Sequence, residues 1–181
     1  LGGNSNFGAS TDVGFGFKYE TENGFALATN VVDKSADSVI INNTSGLLGE
    51  YSVRKWDTQL AYTTDRWHVS ATLSDGQNWT SQSYNATKLA AAMKGSDGDT
   101  TGYALRAYWR PENAGSATPE VSVGYDVKNA DTPASGAAKS ADSYFLGLTW
   151  RDMFQADDRI GFGVTQPLKV SDCNGTCTST E

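Results

Sequence analysis

The sequence predicts an all-β fold, a transmembrane antiparallel up-and-down β-barrel, on three observations. Eight segments alternate apolar and polar residues with a period of two, the links between them alternate between short and long, and aromatic side chains gather beside the shorter links. Strict alternation marks a strand with two unlike faces. A membrane barrel adds brief turns on one rim, extended loops on the other, and aromatic girdles at the lipid headgroups.

The first segment, Asp12 to Glu20, sets Val13, Phe15, Phe17 and Tyr19 against Gly14, Gly16 and Lys18. Gly24 to Val32 sets Phe25, Leu27, Thr29 and Val31 against Ala26, Ala28 and Asn30. From Trp56 to Thr64, Trp56, Thr58, Leu60 and Tyr62 oppose Asp57, Gln59 and Ala61, and from Trp67 to Ser74 the row Trp67, Val69, Ala71, Leu73 opposes His68, Ser70 and Thr72. Tyr103 to Arg110 and Glu120 to Val127 repeat the pattern, with Leu105 and Trp109 against Arg106 and Arg110, then Val123 and Tyr125 against Ser122 and Asp126. Tyr144 to Arg151 and Arg159 to Thr165 complete the set. About nine residues at ~3.3 Å each, tilted near 40°, cover roughly 23 Å, close to the ~25 Å lipid-facing band of such barrels.

The links run Thr21–Asn23, Asp33–Lys55, Asp65–Arg66, Asp75–Thr100, Pro111–Pro119, Lys128–Asp142, Asp152–Asp158 and Ser171 onward, short and long in turn. A β-sandwich also alternates, but its Greek-key connections have no reason to keep that parity. Tyr19, Phe25, Tyr62, Trp67, Trp109 and Trp150 lie beside the shorter links on the apolar face and form the expected girdle. Aromatic pairs flanking hairpins in a soluble sheet would look the same.

Composition agrees with a β-rich chain. The 181 residues suit a single domain, and 19 Gly, 8 Tyr, 7 Phe and 5 Trp favour strands and turns over helices. No run approaches the roughly 20 apolar residues of a spanning helix, which a barrel does not need because only alternate residues touch lipid. The net charge of −7 argues against nucleic acid, whose phosphates demand clustered Lys and Arg. The opening Leu1–Asn6 lacks the basic and apolar regions of a secretory signal, as expected of a mature, trimmed or partial chain.

The inward row is rich in Gly, Ala, Ser and Thr, with charges spaced among them. A charge facing lipid at mid-depth costs ~2–4 kcal/mol, so charges confined to one row mark the wet side. Lys18, Asp57, Arg106, Arg110, Glu120, Asp126, Arg151 and Arg159 are the candidate pore-lining residues, with mid-strand Arg106 the foremost. Paired charges that merely brace the wall are the alternative.

Cys173 and Cys177 bracket a polar tripeptide. Three readings fit: a tight-turn disulfide in an oxidising compartment, half of a metal site, or unpaired thiols. No metal and no cofactor are expected, and the lone His68 has no nucleophile and acid arranged around it, so an enzyme is not expected. Asp75, Asp97 and Asp99 would hold Ca²⁺ no better than any acidic loop. The Asn-x-Thr/Ser matches at Asn43, Asn78, Asn85 and Asn174 are the chance yield of polar loops. Asn85 to Lys94 reads as a short helix in the longest loop, either folded into the lumen or resting on the rim.

An even number of strands returns the chain to the rim it started from, here the rim of the long links. Complete bacterial barrels keep both termini on the short-turn rim, so the expectation is an interior portion of a larger barrel of roughly 16 strands, with the first and last strands outside this sequence. A self-contained eight-stranded barrel is the alternative.

Tyr144-Phe-Leu-Gly-Leu-Thr-Trp150-Arg-Asp-Met-Phe154, followed by Arg159-Ile-Gly-Phe-Gly-Val-Thr-Gln-Pro167, resembles the late-barrel hairpin of cyanobacterial major porins, relatives of carbohydrate-selective porins sometimes labelled iron-uptake porins. The resemblance implies a trimeric or otherwise oligomeric channel in the cell outer membrane, in contact with lipid and passing small polar solutes or inorganic ions. Family members also carry a cell-wall-binding domain and a coiled coil, which are not visible in this sequence. The rival expectation is a secreted or surface β-sandwich, an adhesin or carbohydrate-binding module.

Overall fold

A computed structural model describes residues 13–34, 53–77, 99–112, 117–131, 133 and 135–176. Strands β1 (Val13–Glu20), β2 (Phe25–Lys34), β3 (Val53–Thr63) and β4 (Trp67–Gln77) are followed by β5 (Thr100–Trp109), β6 (Glu120–Ala130), β7 (Ala138–Arg151) and β8 (Arg159–Cys173). They form one eight-stranded antiparallel sheet in which every strand pairs with its neighbours in sequence. There is no helix among the described residues. The sheet is open: β1 and β8 are its edges and do not pair with each other. It is nevertheless curled, since residues of all eight strands, from Lys18 of β1 to Thr165 of β8, line one cavity of about 660 Å³.

The turns follow local chemistry. Between β1 and β2 the Thr21 N–H donates to the Phe25 carbonyl at 2.8 Å and the Gly24 N–H to the Thr21 carbonyl at 3.1 Å. Gly24 sits at φ 93°, and a Cβ there would collide with the Thr63 carbonyl oxygen, so only glycine fits. At the two-residue β3–β4 turn the Thr64 N–H donates to the Trp67 carbonyl at 2.7 Å, while the Thr64 hydroxyl accepts from the Trp67 N–H at 3.0 Å.

Five strands begin within a residue of where alternation begins, while β3, β5 and β7 begin earlier, and several strands run further than the alternation does. β7 starts at Ala138 rather than Tyr144, and β8 continues past Thr165 to Cys173. The register between them shifts at Ala138/Ser140, Ser140/Ala141 and Asp142/Tyr144. The last of these opposes Tyr144 to Gln166 but Asp142 to Lys169, placing Pro167 and Leu168 in a bulge of an edge strand, where a residue without an N–H is tolerated. This corrects the expected alternation of link lengths. The β6–β7 link shrinks to 131–137 and is shorter than the 110–119 link on the opposite rim. Parity of rims survives, because it follows from antiparallel order and not from loop length.

Very little is buried. The buried apolar residues among those described are Val32, Ala61, Ala130, Ala138 and Ala141. The last three cluster where β6, β7 and β8 overlap, with Leu168 and Val170 packed against them. Among the described residues most large apolar side chains instead lie on the convex face, exposed.

Candidate functional site

Pairing register places side chains of like chemistry in continuous rows across the sheet. On the convex face, Tyr19 of β1 leads through Leu27, Leu60, Ala71, Leu105 and Tyr125 to Tyr144 of β7. Leu60, Leu105 and Phe162 are 56–59% exposed on this face. The six expected girdle residues sit at strand ends beside the turns of one rim, and two pairs touch across strands. Phe25 and Tyr62 have ring centroids 4.7 Å apart, and Trp67 and Trp109 are 6.1 Å apart. Trp150 donates its indole N–H to the Ala117 carbonyl at 2.9 Å.

Toward the other rim the convex face turns polar. Asp75, Thr101, Asn129 and Ser140 follow one another in a single row, with Ser140 bonded to Asn129 at 2.7 Å. A second group of aromatics, Trp56, Tyr103 and Tyr144, lies at that side of the apolar band. Sequence reasoning missed it, because only aromatics beside the shorter links stood out. Its signal was available: Trp56 and Tyr103 each open an alternating run after a long loop. The Trp56 indole N–H donates to the Thr29 hydroxyl at 2.7 Å, so the polar atom of this half-exposed ring is satisfied within the face.

The concave face is polar and charged. Arg106, in the middle of β5, sets its Nη2 against both carboxylate oxygens of Asp126 at 2.7 and 2.8 Å, and its guanidinium carbon lies 5.5 Å from the centroid of the Phe145 ring. Ser143 also donates to Asp126, at 3.2 Å. Phe145 is the one aromatic of β7 turned inward, and it can lie there because its neighbour across the strands is Gly124. A Cβ on Gly124 would collide with the Phe145 ring and come within 2.9 Å of Arg106 Cδ. A glycine in β6 thus positions an arginine of β5 through an aromatic of β7.

The other expected lining residues divide into two groups. Lys18 and Asp57 join Arg106 and Asp126 on the cavity wall, with Lys18 paired to Glu20 at 2.6 Å and Asp57 to Lys55 at 3.0 Å. Lys55 and Lys128 line the same cavity and were not singled out from sequence, Lys55 because it precedes the segment read as a strand. Glu120, Arg151, Arg110 and Arg159 lie nearer the short-turn rim and do not line that cavity. Arg151 meets Glu120 with Nε at 2.7 Å, a charge contact without hydrogen-bond alignment, and with an aligned N–H at 3.1 Å. Arg110 follows the end of β5 and turns its Nε to the Asp65 carbonyl, bracing the β3–β4 turn. Arg159 pairs across strands with Arg151 at the open edge.

A smaller concave space of about 420 Å³ continues from the first toward the short-turn rim, with Lys18 and Arg106 bordering both. His68 lines it, its Nδ1 2.9 Å from the Thr63 hydroxyl and its Nε2 3.3 Å from Ser70. At the long-loop rim Cys173 is disulfide-bonded, while Cys177 lies outside the described residues. Asn85 to Lys94, Asp97 and the asparagines at 43, 78 and 85 also lie outside them.

No known family model, curated protein or solved structure matches this chain.

Proposed function

We propose that the chain is the wall of an outer-membrane porin, a water-filled channel for passive diffusion of small polar solutes or inorganic ions. One observation carries the reading: the same strands present a continuous apolar convex face and a charged, hydrogen-bonded concave face. An exposed apolar surface this extensive is untenable in water without a cover, and lipid is the cover that asks nothing of the sheet but apolar side chains. The concave face needs the opposite solvent. Its charges are too many and too closely set for a dry interior, and a water-filled lumen relieves their desolvation cost.

Two further features support this reading. Aromatic side chains flank the apolar band, as headgroup girdles do. The bonded Cys173 suits an oxidising compartment beyond the inner membrane. The porin resemblance of the β7–β8 hairpin points the same way, and the channel is assigned to that general class.

Planar-bilayer conductance is the direct test. The purified full-length protein should insert from detergent and give discrete, passive conductance steps. Recovery as a soluble monomer without detergent, together with silent bilayers, would favour a surface β-sandwich instead.

A further inference from the structure

We propose that the ion path along this concave face prefers anions over cations, an inference that rests on the channel reading. The motivating observation is a reversal of charge. The chain as a whole carries −7, yet the wall of the 660 Å³ cavity carries Lys18, Lys55, Arg106 and Lys128 against Asp57 and Asp126, four positive charges minus two negative, or +2. Nearer the short-turn rim, Arg151 and Arg159 add two cations and Glu20 and Glu120 two acids, so the face as a whole holds six cations against four acids, still +2.

The four acids of this face are also each paired with a cation. Glu20, Asp57, Glu120 and Asp126 each lie within 3.0 Å of a cationic nitrogen of Lys18, Lys55, Arg151 and Arg106 respectively. The Asp126 carboxylate meets Nη2 of Arg106 with both oxygens and accepts the Ser143 hydroxyl, so part of its acceptor capacity is already used. Ammonium and guanidinium groups behave differently. Each has several donors, and although Arg106 gives Nη1 to the Leu105 and Tyr125 carbonyls at 2.9 and 3.4 Å, its positive charge still acts on a passing anion. Lys128 lies near enough to Lys55, Asp57 and Asp126 to feel their charges, so it belongs to the same charged cluster of the path.

Many of the remaining acids lie elsewhere. Asp65, Glu112, Asp152, Asp157 and Asp158 occupy turns and links of the short-turn rim, and Asp75 is on the convex face. Rim charges act through bulk electrolyte and are screened within about 8 Å at physiological salt. Wall charges act on a permeating ion at contact range between low-dielectric walls, so they set the preference.

The test is the reversal potential of the full-length protein in a planar bilayer under a KCl gradient. Expected is chloride permeability exceeding potassium permeability by roughly twofold or more. Lys128→Gln and, separately, Arg159→Gln at the open edge should each lower that ratio, and Asp126→Asn should raise it. Channels that open with a potassium-selective or unselective reversal potential would overturn the anion preference and leave the channel reading intact. An unchanged ratio in both cation variants would also overturn it. Absence of any conductance would overturn both.

Discussion

Gly124 is required by its neighbours rather than by its own backbone, since the Phe145 ring and the Arg106 stem occupy the space its Cβ would fill. The arrangement fixes Arg106 between an aromatic face and a carboxylate, at the boundary shared by both concave spaces. Gly124→Ala should therefore cost about 1–3 kcal/mol through overpacking. The same substitution in a Phe145→Ala background should cost less, because the ring that the methyl group strikes is gone. Urea titration of the protein refolded in phospholipid vesicles measures both, and equal costs in the two backgrounds would refute the coupling. Arg106 was legible in the sequence as a mid-strand charge on the polar row. Its partners were not, because cross-strand register decides them: Gly124, Asp126 and Phe145 stand 18, 20 and 39 residues away in sequence.

The β7–β8 hairpin closes through an acid-based turn. Asp158 accepts the N–H groups of Met153, Phe154 and Gln155 at 2.7, 3.0 and 3.1 Å, while Asp152 accepts that of Asp157 at 2.6 Å. Asp152 and Asp157 take φ of 51° and 69°, which short polar side chains tolerate. Desolvation pushes the Asp158 carboxyl up, but the three backbone donations outweigh it and hold the group below the usual carboxylate range. A depressed folded-state value means that the stabilisation is present above the unfolded value and lost as pH falls through the folded one. In an NMR titration, Asp158 should thus protonate at a lower pH than an ordinary aspartate, and the turn should loosen only as it does so. Titration at or above the ordinary value would contradict the geometry. Asp158→Asn should weaken the turn across the whole range. The eight strands themselves were legible because alternation is local, and turn-forming residues punctuate it. The extensions of β7 to Ala138 and β8 to Cys173 were not, since each bulge flips the alternation and Pro167 reads as a stop.

Across the whole sheet the girdle is not level with the hydrogen-bonded rows. Following the row of Tyr19 to β7 reaches Tyr144, whereas the girdle residue of β7 is Trp150, and 150 − 144 is six residues over six strand-to-strand steps. The polar limit of the convex face slants the same way, with Asp75 on β4 two residues further out along its row system than Asp142 on β7. One residue of stagger per strand is ~3.3 Å of offset for every ~4.8 Å across the sheet, a tilt near 35° between the strands and the normal of the band. Strands of membrane barrels tilt by about 35–45°, so a flat slab of lipid would meet this band along its full width. Leu105, 56% exposed at mid-strand on the convex side, lies within the band, and its sequence neighbour Ala104 lines the cavity. Leu105→Lys should destabilise the folded protein in vesicles by ~2–4 kcal/mol, while Ala104→Lys should stay within about 1 kcal/mol. A second protein layer over the convex face would also resist the Leu105 lysine, so a further readout is needed. Bromine on the lipid acyl chains should quench the fluorescence of Trp56, Trp67, Trp109 and Trp150 if the convex face meets lipid. Emission untouched by brominated lipid, with Leu105→Lys still costly, would put protein rather than membrane against this face.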